Sequence, residues 1–197
     1  YDPHVWTSPK QAKIQVDNIV NTLSQASPQA KDAFTAAGKK YTDQLEDLDK
    51  WASDSMSAVP EQDRVLFSSH DAFGYFSNEY GVKFIGSALS DFNHQQDATS
   101  SHIDEQVKKV RESGAKAIFA ENSNSSKSIE AIARAAGVKA VTSDDALYGD
   151  SLGVPGSEGE TYIGSIVHNI NTLVSAWDSE QQPLPESLQA FDVAKRK

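Results

Sequence analysis

Between residues 9 and 56 the apolar positions recur at helical spacing; beyond Pro60 they contract into short runs separated by polar stretches. Residues 9–25, PKQAKIQVDNIVNTLSQ, predict an amphipathic helix with Pro9 in its first turn and Ile14, Ile19 or Val20, and Leu23 near one face. Ser27 and Pro28 predict a break and a new start, with serine as N-cap and proline at the first helical position. From there Phe34, Tyr41, Leu45, Leu48, Ala52 and Met56 follow at spacings of seven, four, three, four and four. That is one stripe on a helix of about 30 residues, about 45 Å long at about 1.5 Å per residue. Such a length exceeds the usual globular helix and predicts a strut crossing the molecule.

After Pro60 the pattern alternates. Strands are predicted at 64–69 (RVLFSS), 82–88, 115–121 and 138–144, and helices at 71–81, 100–114, 125–137 and 161–177, with Gly81, Gly114 and Gly137 as stops. The fold class is therefore α/β: a long bridging helix followed by a mainly parallel β-sheet flanked by helices. Ligands in open α/β sheets bind outside the carboxyl ends of the strands, which directs attention to the loops beginning at Ser68, Glu121 and Ser143. The tail, 178–197, is polar and proline-spaced and reads as a docked or frayed terminus.

Composition narrows the function classes. The 197 residues carry 28 acidic and 18 basic side chains, a net charge of −10, which argues against a nucleic-acid phosphate binder. There is no cysteine, which excludes disulfides, thiolate metal sites and a cysteine nucleophile within the chain. No apolar run approaches the roughly 18 residues of a membrane span.

Three residues carry the candidate chemistry. His4 lies in YDPHVW, and reads either as a ligand on a loop or as an incidental histidine. His70 follows its strand directly, where it is placed to meet a ligand or to serve as a hydrogen-bonding histidine at a helix start. Asp150 lies in a long glycine-punctuated loop, DDALYGDSLGVPGSEGETY, as an inward-aimed carboxylate or a turn aspartate, with Asp144 and Asp145 competing for the same role. Taken together, two imidazoles and a carboxylate suit zinc, iron or manganese. Positions 4, 70 and 150 are too scattered for a local finger or a helical HExxH site, so the whole fold must assemble them, as in a cleft between lobes.

At these residues the chain resembles the metal-specific (zinc or manganese) solute-binding proteins of ABC importers. DPHVW, SSHDAFGYFSNEYGV, AIFAEN, LYGDSLG and GSEGETYIGSIVHNINTL occur in that family's order. The resemblance implies two α/β lobes joined by one long helix, with one divalent ion held between them by four side chains. Carried over by motif, His4, His70 and Asp150 are three of those ligands. The first, a histidine of the N-terminal lobe, has no counterpart here. Residues 1–26 would then be a remnant of the N-terminal lobe, 27–60 the bridging helix and 61–197 the C-terminal lobe. His4 is expected to be loosely held, because most of its lobe is absent.

The same resemblance implies an extracytoplasmic, lipid-anchored protein that passes Zn²⁺ or Mn²⁺ to a permease, with the membrane approached only through an anchor outside this chain. Glu121, in the FAE segment, reads as the carboxylate that orients a ligand imidazole or as a helix cap. His94 and His102 read as solvated surface, His168 as a packing or hydrogen-bonding residue, and Phe73, Tyr75 and Phe76 as core. Two other classes remain open at this point. One is a metal-dependent hydrolase using His4, His70 and Asp150 with Glu121 as general base; the other is a surface adhesin-type lipoprotein.

Overall fold

The computed structural model describes residues 1–89 and 100–192. The chain opens with a single 3-10 turn, Val5–Thr7, and runs into helix α1, Pro9–Ala26. Ser8 caps α1 by accepting the Gln11 backbone N–H, and Pro9 occupies its first turn, where a missing N–H costs nothing. Ser27 makes no side-chain cap, contrary to expectation. Instead Pro28–Ala30 forms a 3-10 turn, and the long helix α2 spans Lys31–Ser57, 27 residues or about 40 Å. The proline ring sets the turn, so α1 and α2 fold back on each other as a helical hairpin.

The hairpin is buried unevenly. In α2, Leu45, Leu48, Trp51, Ala52 and Met56 are buried, whereas Phe34 and Tyr41 are only half-covered. The predicted apolar face of α1 is not a core face. Ile14, Ile19 and Leu23 are 51%, 56% and 42% exposed, while Ala12 is buried and Val16 packs against the core. Periodicity identified the helix, but nothing in the described residues covers that side of it.

Four parallel strands follow: β1 (Val65–Ser68), β2 (Lys83–Ser87), β3 (Ala117–Phe119) and β4 (Lys139–Val141). They pair as β1–β2 and β3–β4, with β1 beside β3 but not laddered to it. Side chains close this seam. Trp177 Nε1–H donates to the Val65 carbonyl at 3.2 Å, and Ser69 Oγ accepts the Glu121 N–H at 3.1 Å. Alternate residues of β1 and β3 point to opposite faces. Leu66, Ala117 and Phe119 join the core under α2, α6 (Tyr162–Ala176) and α3 (Gly74–Tyr80). Val65, Phe67 and Ile118 join a second core under α4 (Ser100–Ser113) and α5 (Lys127–Ala136). Glycines in the left-handed region close α3 and α5, Gly81 at φ 63° and Gly137 at φ 79°, as their positions predict. The tail is docked as far as the 3-10 turn Glu186–Phe191, with Leu188 fully buried. No described helix is long and apolar enough to cross a membrane.

Candidate metal centre

His70 follows Ser68, the last residue of β1, and Ser69, in a turn whose backbone N–H and carbonyl are both engaged. Its carbonyl accepts the Ser68 hydroxyl at 2.6 Å and the Ala72 N–H at 3.1 Å, and its N–H donates to Glu121 Oε1 at 2.9 Å. The other Glu121 oxygen lies 2.7 Å from His70 Nδ1. Glu121 itself continues from β3 and is 1% exposed, so its carboxylate is committed to this histidine. Burial pushes the His70 pKa down, but the hydrogen bond and charge of Glu121, with the charges of Asp150 and Asp71, outweigh it and leave the imidazole above its ordinary value of 6.5.

His4 is firmly held, which overturns the expectation of a loose terminus. It is 8% exposed. Its N–H and Nδ1 approach Asp2 Oδ1 at 2.9 and 2.7 Å, and its carbonyl accepts both the N–H and hydroxyl of Thr7. Trp6 fastens the segment to the lobe: its Nε1–H donates to the Gly149 carbonyl at 2.9 Å, and its own carbonyl accepts the Tyr162 hydroxyl at 2.7 Å. The segment is therefore secured by long-range polar contacts that no local pattern announces.

Asp150 lies in the loop between β4 and α6. Asn169, 2% exposed on α6, grips Tyr148 at both N–H and carbonyl, each at 2.8 Å. Asn122 Nδ2 donates to the Ser151 hydroxyl at 2.9 Å and approaches the Ser151 carbonyl at 3.2 Å. These bonds aim the Asp150 carboxylate at the two imidazoles. His70 Nε2 is 3.1 Å from Asp150 Oδ2, and His4 Nε2 is 3.5 Å from Asp150 Oδ1. The two rings stand edge to face, 5.3 Å apart. One donor atom from each of the three residues lies within 4.8 Å of the others. Donors each about 2.0–2.2 Å from a tetrahedral ion lie about 3.3–3.6 Å apart, so the trio would draw in from its 4.8 Å limit to hold a divalent ion.

Among the described residues His4, His70 and Asp150 are the only such trio. Asp144 and Asp145 stay exposed on a separate turn and do not join it. His168 is a hydrogen-bonding residue, with Nδ1 2.9 Å from Glu158 Oε2 and Nε2 3.1 Å from the Ala146 carbonyl. His102 differs from expectation: it is half-buried, with Nε2 3.1 Å from the Ala88 carbonyl. His94 lies outside the described residues. Phe73 and Phe76 are core, and Tyr75 is half-buried. Sequence reasoning missed Asp2, Trp6, Asn122 and Asn169. Asp2 had the clearest signal, a carboxylate two residues from a candidate ligand histidine.

Fold and site together define a class: an α/β lobe with a two-imidazole, one-carboxylate donor cluster at the carboxyl ends of parallel strands. Over residues 1–176 the chain matches the family described as zinc-uptake complex component A, periplasmic, and it belongs to that family. It is 41% identical over 178 residues to the manganese-binding lipoprotein MntA of Bacillus subtilis (strain 168), covering 89% of this chain and 58% of that one. It is 32% identical over 178 residues to the zinc-binding protein TroA of Treponema pallidum (strain Nichols), covering 89% and 57%. The solved structure of periplasmic zinc binding protein TroA from Treponema pallidum superposes with a TM-score of 0.80 at 30% identity, over 91% of this chain and 65% of that one. The family expected from the motifs is the family found, and the α/β architecture agrees. The chain spans a little over half the length of the curated relatives it matches.

Proposed function

We propose that this chain is the metal-capturing part of an extracytoplasmic solute-binding protein, which takes up Zn²⁺ or Mn²⁺ and hands it to the permease of an ABC importer. The convergence of His4 Nε2, His70 Nε2 and the Asp150 carboxylate carries this reading. Relatives named for manganese and for zinc support the two candidate ions, and the lipoprotein name of one supports a lipid-anchored, extracytoplasmic setting. Glu121 orients His70 in this scheme, and further positions on the ion fall to water or to other donors.

Carriage accounts for the site better than hydrolysis. A general base must reach a metal-bound water, yet both Glu121 oxygens face His70 and the side chain is fully buried. Affinity for divalent ions follows the Irving–Williams order, so Zn²⁺ binds more tightly than Mn²⁺ in vitro whichever is the biological cargo.

The test is metal analysis and calorimetry with Zn²⁺ and Mn²⁺ on the chain and on His70→Ala and Asp150→Ala. Stoichiometric binding lost in both variants is expected. Unchanged metal content in both removes the site.

A further inference from the structure

Each imidazole has a carboxylate oxygen beside its Nδ1, from Asp2 at His4 with hydrogen-bond geometry and from Glu121 at His70 as a close approach. His4 Nδ1 lies 2.7 Å from Asp2 Oδ1, which also accepts the His4 backbone N–H. His70 Nδ1 lies 2.7 Å from Glu121 Oε2, while Oε1 accepts the His70 backbone N–H. An ionised carboxylate only accepts, so each Nδ1 carries the ring proton and each Nε2 is left with its lone pair. Both Nε2 atoms face Asp150. Two contacts compete: Asp150 Oδ2, an acceptor, lies 3.1 Å from His70 Nε2, and Asn124 Nδ2, a donor, approaches His70 Nδ1 at 3.4 Å. Both are longer than the 2.7 Å approach of Glu121, and Asn124 Nδ2 is also 3.3 Å from Ser123 Oγ, so the nearer carboxylate sets the tautomer.

Each carboxylate fills a slot that a glycine leaves open. A Cβ added to Gly74 would lie 2.6 Å from Asp2 Oδ2, and one added to Gly149 would lie 2.5 Å from Glu121 Oε2. Real Cβ contacts do not fall below about 3.0 Å, so something must shift. In both cases the atom in the way is the end of a carboxylate side chain, one-third exposed for Asp2 and fully buried for Glu121. Neither glycine has a positive φ, so alanine is compatible with both backbones. An added methyl group would therefore push the carboxylate off its imidazole. The arrangement is paired: Gly74 opens α3 against the segment carrying His4, and Gly149 immediately precedes Asp150.

We infer that Asp2 with Gly74, and Glu121 with Gly149, are two carboxylate–glycine clamps that hold His4 and His70 as Nδ1–H tautomers and so present both Nε2 donors to the incoming ion. This rests on the metal-carrier reading of the site. Asp2, Gly74 and Gly149 are positioning residues: they act on the ion only through the imidazoles. The clamp on His70 also touches the loop of the third donor, so one glycine governs the fit of two ligands.

The readout is the tautomer of each imidazole in the metal-free chain, by nitrogen-15 NMR at a pH where both rings are neutral. Gly74→Ala is expected to raise the Nε2–H form of His4 alone, and Gly149→Ala that of His70 alone. Asp2→Ala should reproduce the first effect, whereas Asp2→Asn, which keeps an acceptor oxygen, should restore the native tautomer. Zn²⁺ affinity, measured by competition with a chromophoric chelator, should fall about 10–100-fold in each alanine variant, the usual range for lost imidazole partners. Asp2 is one-third exposed, so Asp2→Ala keeps the test open even where a glycine variant folds poorly. Unchanged tautomers in Gly74→Ala and Asp2→Ala overturn the clamps, as does a joint shift of both rings in each glycine variant. Because this readout needs no metal, selective tautomer shifts with metal content unchanged in His70→Ala and Asp150→Ala would keep the clamps and sink the proposed function instead.

Discussion

Two buried histidines in this molecule begin alike and end differently. His70 and His168 are 8% and 5% exposed, and each has Nδ1 beside a carboxylate, at 2.7 Å from Glu121 and 2.9 Å from Glu158. The second nitrogen separates them. His168 Nε2 is taken by the Ala146 carbonyl at 3.1 Å, with Thr172 alongside at 3.5 Å. His70 Nε2 meets the Asp150 carboxylate, with the ring of His4 standing next to it. Burial and a carboxylate partner therefore do not make a ligand. A ligand needs its second nitrogen aimed at other donors rather than at the backbone.

That contrast can be broken or sharpened by experiment. The largest effect is expected from His70→Ala, which should weaken Zn²⁺ binding by about a hundredfold or more, beyond the range for orienting partners alone. Calorimetry checks this, and His168→Ala should leave the same affinity within about twofold, since that ring touches no donor of the site. Metal binding should also depend on pH. Binding requires neutral imidazole, and the His70 pKa is raised above 6.5, so affinity should rise with pH up to that raised value and then level off. Below it, affinity should fall by up to about tenfold per pH unit for each proton displaced. The apo fold has the opposite sign. A raised imidazole pKa contributes stability that is fully present below about 6.5 and is lost as pH rises through the raised value. Thermal melts of the apo and Zn²⁺-loaded chain across that window should therefore diverge as pH increases.

A smaller effect falls on the other histidine. His168→Ala leaves the buried Ala146 carbonyl without its partner and should lower stability by about 1–3 kcal/mol in chemical denaturation. Smallest of all, Trp6→Phe keeps the aromatic contact with His4 but removes the donor to the Gly149 carbonyl. It should cost about 0.5–1.5 kcal/mol, with a modest loss of Zn²⁺ affinity, because the His4 segment would still be held through Tyr162.

Legibility in the sequence followed the range of the interaction concerned. The long helix, its buried stripe from Leu45 to Met56, and the alternation of strands and helices were readable because each is written within a few turns or residues. α2 starts at Lys31, three residues past the predicted Pro28, because the 3-10 turn Pro28–Ala30 comes first. Ile14, Ile19 and Leu23 share one face, as their spacing predicts, yet that face is exposed, because periodicity shows that a helix has a side, not what covers it. His102 reads as surface in the sequence because its partner, the Ala88 carbonyl, lies outside its own helix.

By itself the sequence determined the α/β class, the family motifs and the three candidate donors, since these depend on residue type and local order. Only the tertiary structure decided that His4 is held as firmly as His70, that Asp2 and Glu121 engage the two imidazoles, and that Asp150 rather than Asp144 or Asp145 meets them. The reason is geometric. Donor convergence is set by contacts between residues 51 to 156 positions apart, and no periodic or local pattern encodes such distances.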